Sequence, residues 1–281
     1  MAERSIFVSK NTYPYFEEIH VQLDWFGGSA LSQKRKCEIG LHQNFLKAYS
    51  DEKVLEISSA SLYRLGTQLS AMNLSKRTEA GITTVESAFQ SSRIYQTPEG
   101  MVGPFPEYLF LPGKECKKIV KERSRGFHSY QYSFDGMTFY APNYHISLFY
   151  DYLYLNALLE PENAAVREQL LEGGYTAFSD LATKSLNSQA RSCAIFVGLV
   201  KAGRIDEVKQ FDTFLKLFCT KENGEAADGS AYENVQLLVK DKVQLLSSVV
   251  RCSMKKEQVE EYYRENCWML TNKKTEENYL G

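Results

Sequence analysis

The feature of this sequence that most constrains its fold is the irregular order of its helix-like and strand-like segments. Apolar residues alternate with a period of two in EIHVQLDWF, residues 18–26, whereas Cys37, Leu41 and Phe45 recur at helical spacing. The later segments do not form the regular strand–helix–strand alternation of a doubly wound sheet, and no internal repeat is present. The order predicts an α+β fold, predominantly helical with a small β-sheet, followed by a C-terminal helical appendage.

Composition excludes several protein classes. The 281 residues are 43% hydrophobic, which is enough to bury a sizeable core and excludes a disordered or fibrous chain. The 33 basic and 35 acidic residues give a net charge of −2, so the chain lacks the overall positive charge of a typical nucleic-acid-binding protein. Any contact with DNA or RNA is therefore expected to be local.

The cysteines and the N-terminal segment predict a compartment. The six cysteines show no C-x-x-C pair and no recurring spacing, which favours reduced thiols over a disulfide framework. The N-terminal segment lacks the pattern of a signal peptide, and no apolar run is long enough to cross a membrane. We expect a cytoplasmic protein without a membrane partner.

Changes in composition along the chain predict three parts. Residues 1–50 form an N-terminal extension that contributes a basic helix start, and residues 51–205 form the catalytic core. Residues 206–281 form the helical appendage, interrupted by the polar stretch KENGEAADGSA. Within the core, Asp135 and Gly136 predict a hairpin turn, and ISLFYDYLYLNALL at residues 146–159 predicts an aromatic-rich helix.

Several familiar mechanisms lack their motifs. The chain has no G-x-G-x-x-G, no G-x-x-x-x-G-K-[ST], no H-E-x-x-H and no G-x-S-x-G sequence. The four histidines are scattered without the spacing of metal ligands, which favours structural roles for them. We expect neither a metal nor another cofactor.

A polar stripe stands out in TVESAFQSSRIY, residues 84–95. Glu86, Gln90 and Arg93 are spaced at i, i+4 and i+7, so a helix over this segment places a carboxylate, an amide and a guanidinium on one face. Such a face is able to line a polar cleft. The alternative is a capping box, in which Thr83 caps the helix and Glu86 only stabilises its first turn.

Basic residues crowd the predicted start of another helix in SQKRKCE, residues 32–38. Ser32 is placed to cap this helix, and Lys34, Arg35 and Lys36 then add charge where the helix dipole is already positive. A bound anion such as a diphosphate would neutralise the cluster. The alternative is a solvated face on which Lys34 pairs with Glu38.

Only one of the two lysines is able to face a cleft. Lys34 and Lys36 point about 160° apart around a helix, because successive residues are separated by about 100°. The buried stripe through Cys37 and Leu41 runs closer to Lys34, which favours Lys34.

A third candidate region is FSDLATKSLNSQARS. Asp180 lies in the predicted loop, and Asn187 is placed to cap the following helix, whose free N–H groups are able to receive a phosphate or a ribose oxygen. An ordinary loop aspartate and an ordinary cap are the alternative.

Taken together and in order, four segments resemble the NADAR family: LSAMNL, TVESAFQSSRIY, FYDYLYLNALL and YTAFSDLATKSLNSQARSCAIFVGLVKAG. The segments SALSQKRKCEIGLH and KVLEISSASLYRLGTQLSAMNL extend the resemblance to the longer NADAR proteins that are encoded beside toxins that ADP-ribosylate guanine in DNA. The resemblance covers roughly residues 17 to 203.

The resemblance implies roles for individual residues. The family pattern E-x-x-x-Q-x-x-[KR]-[FY] corresponds to Glu86, Gln90, Arg93 and, displaced by one residue, Tyr95. A later family aspartate corresponds to Asp180 and an asparagine at the start of the last core helix to Asn187. Smaller relatives carry Lys in place of Arg93 and a Gly-rich loop with a Trp in place of YTAFSD. With the resemblance included, the candidate catalytic residues are Glu86, Lys34 and Asp180; the candidate substrate-binding residues are Lys36, Asn73, Gln90, Arg93, Tyr95 and Asn187.

The activity implied by the resemblance is hydrolysis of an N-glycosidic bond. The toxin-linked members remove ADP-ribose from guanine, so the expected substrate is an ADP-ribosylated guanine nucleotide or DNA and the expected partner is a guanine-modifying toxin. Two alternatives stay open at this stage: action on small intermediates of riboflavin synthesis, and sequestration of a toxin or modified partner without catalysis.

Overall fold

The computed structural model describes residues 2–28, 30–127, 129–140, 146–181 and 188–211, together with 213, 214 and 217. The strands are β1 Ala2–Ser9, β2 Phe16–Leu23, β3 Val54–Glu56, β4 Ser75–Thr78, β5 Gly81–Thr84, β6 Arg93–Thr97, β7 Gly100–Val102, β8 Ser129–Phe134, β9 Met137–Tyr140 and β10 Ala177–Ser179. The helices are α1 Leu31–Leu46, α2 Arg64–Gln68, α3 Val85–Ser91, α4 Gly113–Arg123, α5 Ile146–Leu159, α6 Ala164–Glu172 and α7 Gln189–Lys201. The prediction of an α+β fold is confirmed, and the strands are divided among three small sheets.

The first sheet joins strands that are far apart in the chain. Its strand order is β2-β1-β10-β3, with β1 antiparallel to both β2 and β10 and with β10 parallel to β3. Strands β1 and β2 of the predicted N-terminal extension thus share one sheet with β3 and β10 of the predicted core. The parallel pairing places the carboxyl ends of β3 and β10 side by side.

Helix α1 packs on this sheet through the predicted stripe. Cys37, Leu41 and Phe45 are buried, in a cluster that also contains Leu23. The helix begins at Leu31 after Ala30, which makes no side-chain cap, so the predicted Ser32 cap is wrong. Trp25, in the alternating segment that predicts this strand, lies beyond the end of the strand and is 45% exposed.

A second four-stranded sheet has the order β7-β6-β8-β9. Its β8–β9 hairpin turns at Asp135 and Gly136, which have positive φ values of 45° and 69° and so confirm the predicted turn. Arg93 is the first residue of β6, so the helix predicted to run through Tyr95 ends at Ser91 instead. The remaining pair, β4 and β5, leads directly into α3.

Helices α3, α5 and α7 fill the space between the sheets. The α7 residues from 190 to 199 are all buried, and the helix approaches the β1–β2 connection so closely that a Cβ on Gly198 would lie 2.3 Å from the carbonyl oxygen of Lys10. Ser188, not Asn187, caps α7 by accepting from the N–H of Arg191. Arg191 in turn donates to Asp151 of α5 at 3.1 Å, and both side chains are buried.

Most of the predicted C-terminal appendage at residues 206–281 lies outside the described residues. Its first part packs on α5, where the ring of Phe211 lies 5.0 Å from that of Tyr152. In the part of the chain that the structure describes, no helix is both long enough and apolar enough to cross a bilayer.

Candidate functional site

Helix α3 presents Glu86 and Gln90 on one face, as the sequence pattern predicted. The capping-box alternative is wrong, because the cap of α3 is Thr84, whose hydroxyl accepts from the N–H of Ser87. Glu86 is only 6% exposed. Burial of a carboxylate costs free energy, so its polar contacts show what stabilises it in this position.

A chain of hydrogen bonds fixes the Glu86 carboxylate. Nη1 of Arg93 donates to Oε1 of Gln90 at 3.1 Å, and Nε2 of Gln90 donates to Oε1 of Glu86 at 3.0 Å. Nζ of Lys117, on α4, lies 3.2 Å from the same carboxylate oxygen. Helix α4 comes this close because it begins at Gly113, where a Cβ would lie 3.0 Å from Cβ of Glu86. The amide therefore orients the carboxylate, and the guanidinium orients the amide.

Asp180 and Glu86 both affect the pKa of one tyrosine, Tyr150. Asp180 follows β10 directly and is 6% exposed. Burial raises the pKa of Tyr150, on α5, well above its usual value, and the carboxyl groups of Glu86 and Asp180 raise this pKa further. Both carboxyl groups thus contribute to the electrostatic environment of the same phenol.

A cavity of about 280 Å³ opens beside the carboxyl ends of β3 and β10. Lys34 lines it, whereas Lys36 does not and instead lies with Nζ 5.7 Å from the centre of the Phe26 ring. The other lining residues are Arg4, Trp25, Phe26, Gly28, Cys37, Glu38, Glu56, Ser58, Ala60 and Leu181. Glu86 and Asp180 are not among them, but Leu181 is the residue after Asp180.

Gln189 links the cavity to the Glu86 centre. Its Nε2 donates to the carbonyl oxygen of Ile57 at 2.6 Å, and its Oε1 accepts from the N–H of Ala71 at 2.8 Å. The carbonyl oxygen of Ala71 accepts from the N–H of Glu86 at 2.9 Å. Ile57 lies between the cavity residues Glu56 and Ser58, so this side chain connects the walls of the two regions.

Two buried glutamates that the sequence did not identify as candidate site residues line the cavity. Glu38 is 1% exposed and Glu56 is 2% exposed. Burial, with the charge of Glu56, raises the pKa of Glu38 to about 7, and burial also raises the pKa of Glu56. The only local signal was that each carboxylate adjoins apolar residues, Glu38 beside Cys37 and Glu56 inside VLEIS. The i+4 ion pair between Lys34 and Glu38 is not formed among the described residues, and the Glu38 carboxylate accepts the N–H of Leu62 at 2.9 Å instead.

The raised pKa of Glu38 predicts a pH dependence of stability. The folded protein keeps a proton on Glu38 up to about pH 7 that the unfolded chain loses near pH 4.5, so ionisation of this group lowers stability as the pH rises through this window. Glu38→Gln removes that cost. Chemical denaturation should show the variant gaining stability relative to the native protein between pH 5 and pH 8, on the order of 1 kcal/mol, because the cavity lets solvent screen the charge. A stability difference that does not change with pH would contradict this assignment.

The remaining predicted substrate-binding residues are dispersed. Asn73 is exposed, and its Nδ2 donates to the carbonyl oxygen of Thr67 at 2.8 Å. Tyr95 is 1% exposed and packs against Phe105 in the second sheet. Asn187 lies outside the described residues. Contacts of these residues with a substrate stay predictions.

No group of three or more potential metal-ligating side chains occurs among the residues that the structure describes.

A family model described as DarT1-associated NADAR antitoxin matches residues 2–228. This range includes β1 of the first sheet and every helix from α1 to α7 in the described part of the chain. No curated protein matches the chain.

Proposed function

This chain belongs to the DarT1-associated NADAR antitoxin family, and we propose that it removes ADP-ribose from guanine by hydrolysing the N-glycosidic bond. The proposed substrate is DNA that a guanine-modifying toxin has ADP-ribosylated. The reaction restores the unmodified base, which is how an enzyme would act as an antitoxin.

The observation that carries this proposal is the buried carboxylate of Glu86, which hydrogen bonds from Gln90, itself held by Arg93, fix in position. Cleavage of an N-glycosidic bond develops positive charge at C1 of the ribose, and a fixed carboxylate stabilises that charge. In the proposed reaction the bond between C1 and the base nitrogen breaks, and the oxygen of a water molecule bonds to C1. One proton of that water passes through a carboxylate, and the departing base nitrogen gains a proton.

The hydrogen-bond chain supports Glu86 as the principal catalytic group. Its carboxylate is oriented before substrate binds, because Gln90 and Arg93 hold it in one position. In the proposal, Gln90 and Arg93 act as positioning residues for Glu86. Lys117 supplies a nearby cation from a half-exposed position, so the buried carboxylate has a counter-ion.

The proposed role of Lys34 concerns the sugar. An amine that lines the cavity is able to attack C1 in place of water, and the proton it loses goes to the departing base. Opening of the ribose ring then leaves C1 joined to the amine nitrogen as a Schiff base, and addition of water returns the lysine and free ADP-ribose. The proposal assigns this amine to Lys34 because Lys36 does not line the cavity.

Mass analysis tests the activity. An oligonucleotide that carries one ADP-ribosyl guanine should lose the mass of the modification on incubation with the protein and regain the mass of the unmodified oligonucleotide. The reaction should proceed in the presence of a chelator, since the sequence predicts no metal site. Parallel incubations with modified RNA and with a modified mononucleotide establish the preferred substrate. If the oligonucleotide is bound but its mass does not change, the protein is a sequestering antitoxin and the proposal is wrong.

A further inference from the structure

Three kinds of side chain line the cavity beside β3 and β10: aromatic rings, carboxyl groups and a guanidinium. Trp25 and Phe26 are exposed aromatic residues, 45% and 41% accessible, that also line the cavity. Glu38 and Glu56 contribute buried carboxyl groups, and Arg4 contributes a guanidinium. Aromatic rings next to hydrogen-bonding groups of both kinds favour a flat, polar ring as the ligand.

The carboxyl groups argue against the diphosphate of ADP-ribose as the occupant. Neither acid offers a polyanion a positive charge, and ionisation of Glu38 as the pH rises through about 7 would add repulsion at short range. An uncharged base with two neighbouring N–H donors is a better hydrogen-bonding partner for a carboxylate than a diphosphate is. Guanine offers such a pair in N1–H and its exocyclic amine, whereas adenine offers only a single amine on that edge.

Arg4 supplies the complementary donor. Its guanidinium carbon lies 4.5 Å from the centre of the Trp25 ring, and Nη1 donates to the carbonyl oxygen of Glu3 at 2.7 Å. Its Nε is buried and has no hydrogen-bond partner within the described part of the chain. A buried donor without a partner costs free energy, so an acceptor on a ligand would stabilise it. Guanine carries such acceptors, O6 and N7.

We propose that this cavity receives the guanine base of the substrate, with Glu38 accepting from N1–H and the exocyclic amine, Arg4 donating to O6 or N7, and Trp25 and Phe26 stacking on the ring. This inference rests on the proposed function and names its base-binding site. A base held here keeps the attached sugar close to Lys34, which lines the same cavity.

Calorimetric titration with nucleoside monophosphates at about pH 8, where Glu38 is ionised, tests the site without turnover. The native protein should bind guanosine monophosphate about tenfold or more tightly than adenosine monophosphate, since a bidentate contact discriminates by at least that factor. The affinity for inosine monophosphate, which lacks the exocyclic amine, should lie between those for the other two nucleotides. Inorganic phosphate should not displace guanosine monophosphate. Glu38→Gln should reduce the preference for guanine to about threefold or less, because an amide presents one acceptor and one donor. Glu168→Gln, at an exposed position on α6, is the matched control and should leave the preference unchanged.

A second variant avoids the buried position. Trp25→Leu, at a largely exposed site, should weaken binding of both nucleotides by about tenfold while leaving their ratio unchanged, because stacking does not depend on the identity of the base. Equal binding of the two nucleotides by the native protein, no saturable binding, or a preference that survives Glu38→Gln would overturn the proposal.

The outcomes separate this inference from the proposed function. Hydrolysis of the modified oligonucleotide without any preference for guanosine monophosphate would reject the base site and leave the activity intact. A preference that depends on Glu38, in a protein that does not change the mass of the oligonucleotide, would establish a guanine-binding site and reject the hydrolase.

Discussion

Replacing Glu86 by Gln is expected to lower turnover of the ADP-ribosyl guanine substrate by about 100-fold or more, with little loss of folding stability. Glutamine keeps the size of the side chain and is still able to accept the hydrogen bond from Nε2 of Gln90. It removes the negative charge that stabilises C1 and the site that carries the proton. The measurement is kcat under saturating substrate, beside the midpoint of chemical unfolding.

Two controls separate catalysis from folding at α3. Thr84→Ala removes the observed cap and should lower stability by about 1 kcal/mol while the remaining folded protein keeps its kcat. Glu122→Gln, at an exposed position on α4, should change neither quantity. A Glu86→Gln protein that unfolds, and whose folded fraction is fully active, would show that Glu86 has only a structural role.

Replacing Lys34 by Ala is expected to abolish a covalent adduct and to lower turnover by about tenfold or more. Borohydride reduces a Schiff base irreversibly, so treatment of the native protein during turnover should leave ADP-ribose attached to Lys34. Peptide mass analysis locates the adduct. The side chain of Lys34 is exposed on α1, so its truncation should leave the fold intact.

Lys36→Ala is the matched comparison for Lys34→Ala. Both lysines lie in the first two turns of α1, but only Lys34 lines the cavity. The adduct should therefore persist in Lys36→Ala. A fully active Lys34→Ala protein would limit the basic cluster to binding phosphate and would leave the chemistry to Glu86 and Asp180.

Periodicity and turn chemistry were sufficient to predict the elements whose conformation depends on residues that are near neighbours in the chain. The β8–β9 turn at Asp135 and Gly136 follows from the positive φ values that these residues tolerate, and the buried stripe of α1 follows from helical spacing. The sequence did not indicate where α3 ends. Ser92, Arg93 and Ile94 continue a helical pattern, but pairing with β8 draws Arg93 into a strand.

Sequence alone thus determined the fold class, the face of α1 that is buried, the stripe that carries Glu86 and Gln90, and a resemblance that the family match confirms. Only the tertiary structure revealed the cavity with Glu38 and Glu56, because it depends on the parallel pairing of β3 with β10, which are more than a hundred residues apart in the chain. A local pattern specifies which face of an element is apolar, but it does not specify what that face packs against. Buried carboxyl groups interrupt the apolar pattern, so their burial becomes visible only when the surrounding elements are assembled.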